Sequence, residues 1–195
     1  ANNNLDAIEL AKQIESEGRR ATLEEQEKLA KFVGWGAGPL ANNVFKDPEG
    51  YAIKPEWKEV AARLRELMTP EERAAAERST QYAHYTSEKI VRGIWSAVQQ
   101  FGFESGSILE PGMGTGMFPI AAPQNLIEKS AYTGVEMDAM TARIAKLLLP
   151  DKAVLETDFT KQTLPDNHFD VAIGNPPFSA TKILADPKYK KYRFL

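Results

Sequence analysis

The chain of 195 residues carries 24 basic and 27 acidic side chains, for a net charge of −3, and is 43% hydrophobic. These are the figures of a water-soluble globular chain with room for one sizeable core and a helical appendage, and they argue against two large domains. Cysteine is absent and histidine occurs only at His84 and His168, which excludes disulfides, thiol nucleophiles and Cys-type zinc sites and leaves no basis for a His-based metal cluster. No apolar run approaches the ~18 residues of a membrane helix, and the polar start at Ala1 lacks the order of a signal peptide, so a cytoplasmic chain with no membrane partner is expected. With so little net charge, binding to a polyanion would need a local patch.

In chain order, Leu5, Ile8, Ala11 and Ile14 mark one face of a first helix, over Leu5 to Arg20. Thr22 and Glu25 form a capping-box pattern for a second helix, whose apolar side is read as Leu23, Leu29, Phe32 and Val33 up to the Gly34-Trp35-Gly36 break. Trp57, Val60, Ala61, Leu64 and Leu67 predict a third helix over Pro55 to Met68, and Thr69-Pro70-Glu71-Glu72 starts a fourth. Beyond Tyr85 the pattern changes to helices alternating with short apolar runs, the mark of a parallel α/β sheet. A helix with Ile90, Val91, Ile94, Trp95 and Val98 inside comes first, and strands are predicted at Ser107–Glu110, Tyr132–Glu136, Ala153–Thr157 and Phe169–Ile173. Between them lie a short helix broken near Ala122 and a longer one over Ala139–Leu149. Trp35, Trp57 and Trp95 read as core or interface anchors.

The run Glu110-Pro111-Gly112-Met113-Gly114-Thr115-Gly116 sets three glycines at alternate positions between a strand and a helix, where the backbone can approach a ligand closely. A dinucleotide loop would put its third glycine one position later, at Met117. An acid beside the glycines repels phosphate and suits a ligand bearing an ammonium, such as S-adenosylmethionine, whose carboxylate could meet helix-start amides. A lone loop of this kind is equally compatible with a structural turn. The next strand ends add to it: Glu136 is placed to accept ribose hydroxyls with Met137 against adenine, and Asp158 to meet the adenine amino group with Phe159 over the ring.

The fourth strand runs into Gly174-Asn175-Pro176-Pro177-Phe178, where two prolines force the backbone out of the sheet. The Asn175 side-chain oxygen and the Pro176 carbonyl could both accept from one exocyclic amino group and hold its lone pair toward a sulfonium methyl, while Phe178 offers a face to a base turned out of a duplex. By itself this tetrapeptide reads rather as a proline turn with a core Phe.

Taken together, these motifs resemble those of the amino-group DNA methyltransferases of the N6-adenine type. Ile108 to Phe118 looks like their cofactor loop, Gly134-Val135-Glu136-Met137-Asp138 like their ribose acid, Thr157-Asp158-Phe159 like their adenine contact, and Asn175 to Phe178 like their catalytic tetrapeptide. Ala83-His84-Tyr85-Thr86-Ser87 resembles the motif that precedes the glycine loop in the gamma order and lines the methionine pocket, implying cofactor contacts for Tyr85 and Thr86. The lead-in, with Gly34-Trp35-Gly36 and Ser79 to Thr86, is similar to that of large phage and plasmid methyltransferase–helicase proteins, which points to restriction-modification or antirestriction.

The resemblance implies a Rossmann-like methyltransferase sheet over residues 81–195 behind a helical region at 1–80, S-adenosylmethionine as cofactor, DNA as partner and no metal. Only four strands are present where the family fold has seven, so a fragment is expected. It would be inactive alone, with the rest of a larger chain pairing along its open edge. Two other readings stay open. The same turn could hold a guanine amino group in RNA or a protein glutamine amide, or the domain could bind S-adenosylmethionine without catalysis. The motif order, the basic Tyr-containing stretch Lys182 to Arg193 and the helical lead-in favour DNA adenine.

Overall fold

The computed structural model describes residues 1–36, 43–45, 55–80 and 86–175. Tyr85, Pro176, Pro177, Phe178, His84 and the stretch Lys182 to Arg193 therefore lie outside the described residues.

Helix α1 (Asn2–Glu17) buries the predicted face of Leu5, Ile8, Ala11 and Ile14, and ends where Gly18 turns left-handed at φ 61°. Thr22 caps α2 (Leu23–Leu29) with the reciprocal Glu25 bond of a full capping box. A 3₁₀ turn at Pro55–Trp57 leads into α3 (Lys58–Leu67), and Thr69 and Glu72 form a second capping box at the start of α4 (Pro70–Ser79). Two expectations of burial fail here. Leu23 is 81% exposed, because the six residues to buried Leu29 leave it about 120° around the helix. Val33 is also exposed, since α2 stops at Leu29 and the chain beyond no longer follows helical periodicity. Its conformation is set by buried Asn4, whose side chain donates to the Gly34 carbonyl at 2.5 Å and accepts from the Val33 N–H at 3.0 Å.

Helix α5 (Glu88–Gln100) buries Val91 and Trp95, one turn apart, which leaves Ile90 about 100° away and exposed, contrary to its assignment to the inside. The Trp95 indole donates to the Phe118 carbonyl at 2.8 Å and ties α5 to α6 (Met117–Ala121). After α7 (Gln124–Ile127) the chain enters the sheet again.

Strands β1 (Ser107–Pro111), β2 (Ala131–Glu136), β3 (Ala153–Glu156) and β4 (Val171–Ala172) are all parallel, in the order β3-β2-β1-β4. Helix α8 (Ala139–Leu148) crosses from β2 to β3. Strand β4 is shorter than the predicted Phe169–Ile173, because Asp170 leaves the ladder pattern. Its carboxylate accepts from the Ser107 N–H at 2.7 Å and the Ser107 hydroxyl at 2.8 Å, pinning the register of β4 on β1. A Cβ at Gly106 would collide with that carboxylate.

The apolar cluster of the helical region also includes Met140 and Ile144 of α8, so helices α1 to α4 pack onto the sheet's crossover helix. Arg143 of α8 bonds Glu15 of α1 at 3.0 Å and Glu72 of α4 at 2.7 Å. Burial pushes the Glu72 carboxyl up, but Lys12 at 2.8 Å, the Thr69 N–H and Arg143 outweigh it and hold the group below the usual carboxylate range. No described helix is long and apolar enough to cross a membrane.

Candidate cofactor site and catalytic turn

In a parallel sheet the strand carboxyl ends share one edge, and ligands bind just outside it. Here the register makes that edge even. Glu110 pairs with Gly134, Pro111 with Val135, and Glu136 with Glu156. The Thr157 N–H donates to the Glu136 carbonyl at 2.8 Å, so the turn carrying Asp158 leaves β3 beside the end of β2.

Gly112, Gly114 and Gly116 have φ values of 65°, 58° and 88°, the left-handed region that side chains resist. The alternation of glycines thus folds the loop tightly between β1 and α6, while the Met113 N–H donates to the Val135 carbonyl at 3.0 Å. Side chains of Met113, Thr115 and Phe118 are buried, and Met113 fills the space left by the missing side chain of Gly134. The side chains of Met113 and Phe118 thus serve packing, which leaves their backbone as what they could offer a ligand.

Glu136 holds this loop. Its carboxylate accepts the Gly114 N–H at 2.9 Å on one oxygen and the Asp138 N–H at 2.8 Å on the other. Burial pushes this carboxyl up, against the pull of those N–H donors. Asp138 was not singled out by itself from the sequence, although an Asp just before a helix is a readable signal. One of its oxygens caps α8 through the Thr141 N–H and hydroxyl, and the other is buried without a hydrogen-bond partner.

Glu110 is 1% exposed, and the Tyr132 hydroxyl donates to its carboxyl. Burial pushes Glu110 up to about 8, with the Tyr132 bond pulling the other way and the charge of Glu136 adding to the rise. Among the described residues no ion pair reaches it, which leaves a buried acid suited to a ligand's ammonium. Asp158 accepts the Thr160 N–H at 2.9 Å and its hydroxyl at 2.7 Å. Burial opposes ionisation there, but these bonds and Lys161 hold the carboxyl below its ordinary range. Met137 and Phe159, which follow the acids of β2 and β3, are 60% and 40% exposed, so two large apolar side chains remain open on the same edge.

Gly174 carries the fourth strand across to the loop. A Cβ there would lie 3.2 Å from the Pro111 carbonyl oxygen and 3.4 Å from Glu110 Cγ. The Ile173 N–H donates to the Leu109 carbonyl at 2.9 Å, so the chain just before Asn175 runs alongside the end of β1. Thr86 lies one residue before Ser87, the residue that precedes α5.

The donor set fits S-adenosylmethionine: a buried acid for its ammonium, a carboxylate and an orphaned oxygen nearby for its ribose, and exposed apolar side chains for its adenine. Among the described residues no group of three potential metal ligands converges.

The profile of the N-6 DNA Methylase family matches residues 64–194. Defense against restriction protein B of Escherichia phage P1 is 32% identical over 97 residues, covering 49% of this chain and 4% of that protein. The Type II methyltransferase M.CvrRI of Paramecium bursaria Chlorella virus XZ-6E is 36% identical over 93 residues, covering 47% of this chain and 24% of the other. The matched stretch is thus a small part of either relative. Among solved structures, the type I restriction-modification system methyltransferase subunit of Streptococcus thermophilus shares 17% identity and a TM-score of 0.45, over 95% of this chain and 46% of that one. An overlay that loose carries no argument, whereas the profile spans well over half the chain. From Leu64 to Phe194, through the glycine loop, the strand-end acids and the Asn175 turn, the chain belongs to the N-6 DNA methylase family.

Proposed function

We propose that the protein of which this chain is part transfers a methyl group from S-adenosylmethionine to the N6 amino group of adenine in DNA. The observation that supports the reading is the approach of Gly174, the residue before Asn175, to Pro111 and Glu110, which begin the loop proposed to hold the methyl donor.

In this reading Glu110 receives the donor's ammonium, Glu136 its ribose hydroxyls and Asp158 its adenine amino group, with Met137 and Phe159 on the two faces of the ring. Gly112 to Gly116 supply close backbone. Tyr85 and Thr86 line the methionine end. The bound donor supplies a methyl group already activated by a positive sulfur. Asn175 accepts one hydrogen of the target amine, the Pro176 carbonyl accepts the other, and the nitrogen lone pair is left pointing at the methyl. Pro177 keeps the turn rigid, and Phe178 stacks on the extruded base. No strong base is required, since the amine loses its proton to solvent after attack.

Family membership and the motif order favour DNA adenine over an RNA guanine or a protein glutamine, whose amino groups the same turn could hold. Methyl transfer by the complete protein to a panel of DNA, RNA and protein substrates tests this, with label expected in DNA as N6-methyladenine. Asn175→Ala should retain donor binding and lose transfer by at least about 100-fold. Undiminished transfer by that variant would refute the mechanism. The division into a helical region at 1–80 and a methyltransferase part at 81–195 is proposed on the same basis, with further chain completing the sheet and recognising the DNA.

A further inference from the structure

Resting on the reading that Glu110 receives the donor's ammonium, we propose that Tyr132 is a positioning residue for the methyl donor: its buried hydroxyl, donated across from β2, holds the Glu110 carboxyl oriented for that ammonium.

The geometry has three parts. Tyr132 pairs with Ile108 in the β1–β2 register, two residues before Glu110, so a long side chain at this position reaches along the same face to the acid. Both groups are buried, so neither finds water as a substitute partner. The residue level with Glu110 on β2 is Gly134, which has no side chain to offer, and its space is filled by Met113. The phenol is therefore the described donor to Glu110. A hydrogen bond to the anion favours the anion, and here it opposes both the burial and the Glu136 charge that act to neutralise Glu110. Among the described residues, Tyr132 and Glu136 are the titratable groups that act on it. Without the hydroxyl, the neutral form of Glu110 would persist to still higher pH and its attraction for an ammonium would weaken further.

The test compares two ligands with the same nucleoside. S-adenosylhomocysteine carries the ammonium, and 5′-methylthioadenosine lacks the whole amino-acid end. Calorimetry on the complete chain, at several values between about pH 6 and pH 9, should find that Tyr132→Phe weakens S-adenosylhomocysteine about tenfold or more. The loss should be larger at the acid end, with 5′-methylthioadenosine unchanged. Equal losses for both ligands, or no loss for either, would overturn the proposal. Glu110→Gln gives an independent handle should Tyr132→Phe fold poorly: it too should lose only S-adenosylhomocysteine, and an unchanged ratio of the two affinities would overturn the proposal. A parent chain that binds neither ligand would instead refute the cofactor reading beneath it.

Discussion

The Glu136 carboxylate accepts the Gly114 N–H at 2.9 Å, so the acid that ends β2 also secures the loop that leaves β1. One side chain thus shapes the proposed site and faces the proposed ligand. Glu136→Ala is expected to reduce S-adenosylhomocysteine affinity by about 100-fold, from lost ribose contacts and an untethered loop. Glu136→Gln keeps one acceptor oxygen and should fall between. Affinity of the alanine variant within a factor of about three of the parent would remove Glu136 from the site.

Glu110, raised to about 8 in the folded chain from an ordinary 4.5, binds its proton more tightly folded than unfolded. Its contribution to stability is therefore fully present below the ordinary value and is lost as pH rises toward 8, at up to about 1.4 kcal/mol per pH unit. Glu136 is shifted in the same direction and adds with the same sign. Urea midpoints of the ligand-free chain should fall between about pH 5 and pH 8, and Glu110→Gln should remove much of that slope and exceed the parent at the alkaline end. A slope unchanged by Glu110→Gln would mean that the acid is not desolvated as described.

Gly116 has φ 88°, and a Cβ there would run into the Leu149 side chain. Gly116→Ala should cost about 2 kcal/mol of unfolding free energy from backbone strain and overpacking. Adding Leu149→Ala relieves the clash but not the strain, so the double variant should recover less than the whole loss once the single effect of Leu149→Ala is subtracted in a mutant cycle.

Asn4 bridges the start of α1 to the Val33-Gly34 turn through both ends of its amide. Asn4→Ala leaves the buried Gly34 carbonyl and the partly buried Val33 N–H without the Asn4 side chain as partner, and is expected to destabilise the chain by about 2 kcal/mol in chemical denaturation. Asn4→Asp keeps the acceptor for Val33 but presents an oxygen to the Gly34 carbonyl, and should do no better.

Arg143 joins α8 to α1 and α4 with its side chain about two-thirds buried. Arg143→Ala should cost about 1 kcal/mol at low salt and less at high salt, the discount reflecting solvent screening of a partly exposed pair. A loss that does not depend on salt would assign the contribution to packing of the side-chain stem.

Features whose partners lie a few residues away were legible in the chain alone. The capping boxes of Thr22 with Glu25 and Thr69 with Glu72, the break of the short helix at Ala122 and the left-handed glycines of the loop each follow from chemistry within one turn. Strands β1 to β3 were likewise readable to within a residue, since glycines, prolines and short apolar runs bound them. Other features needed the fold, because hydrogen-bond partners and neighbours distant in sequence carry no periodic trace. These include the strand order, the docking of α1 to α4 on Met140 and Ile144, the Asn4 bridge, the Asp170 clasp that shortens β4, and the Tyr132 hydroxyl on Glu110. The residue types at the strand ends announced a nucleoside-binding chemistry, but only the packing of the strands and their loops decided which oxygens are spent on the protein's own backbone and which, like the second oxygen of Asp138, are not.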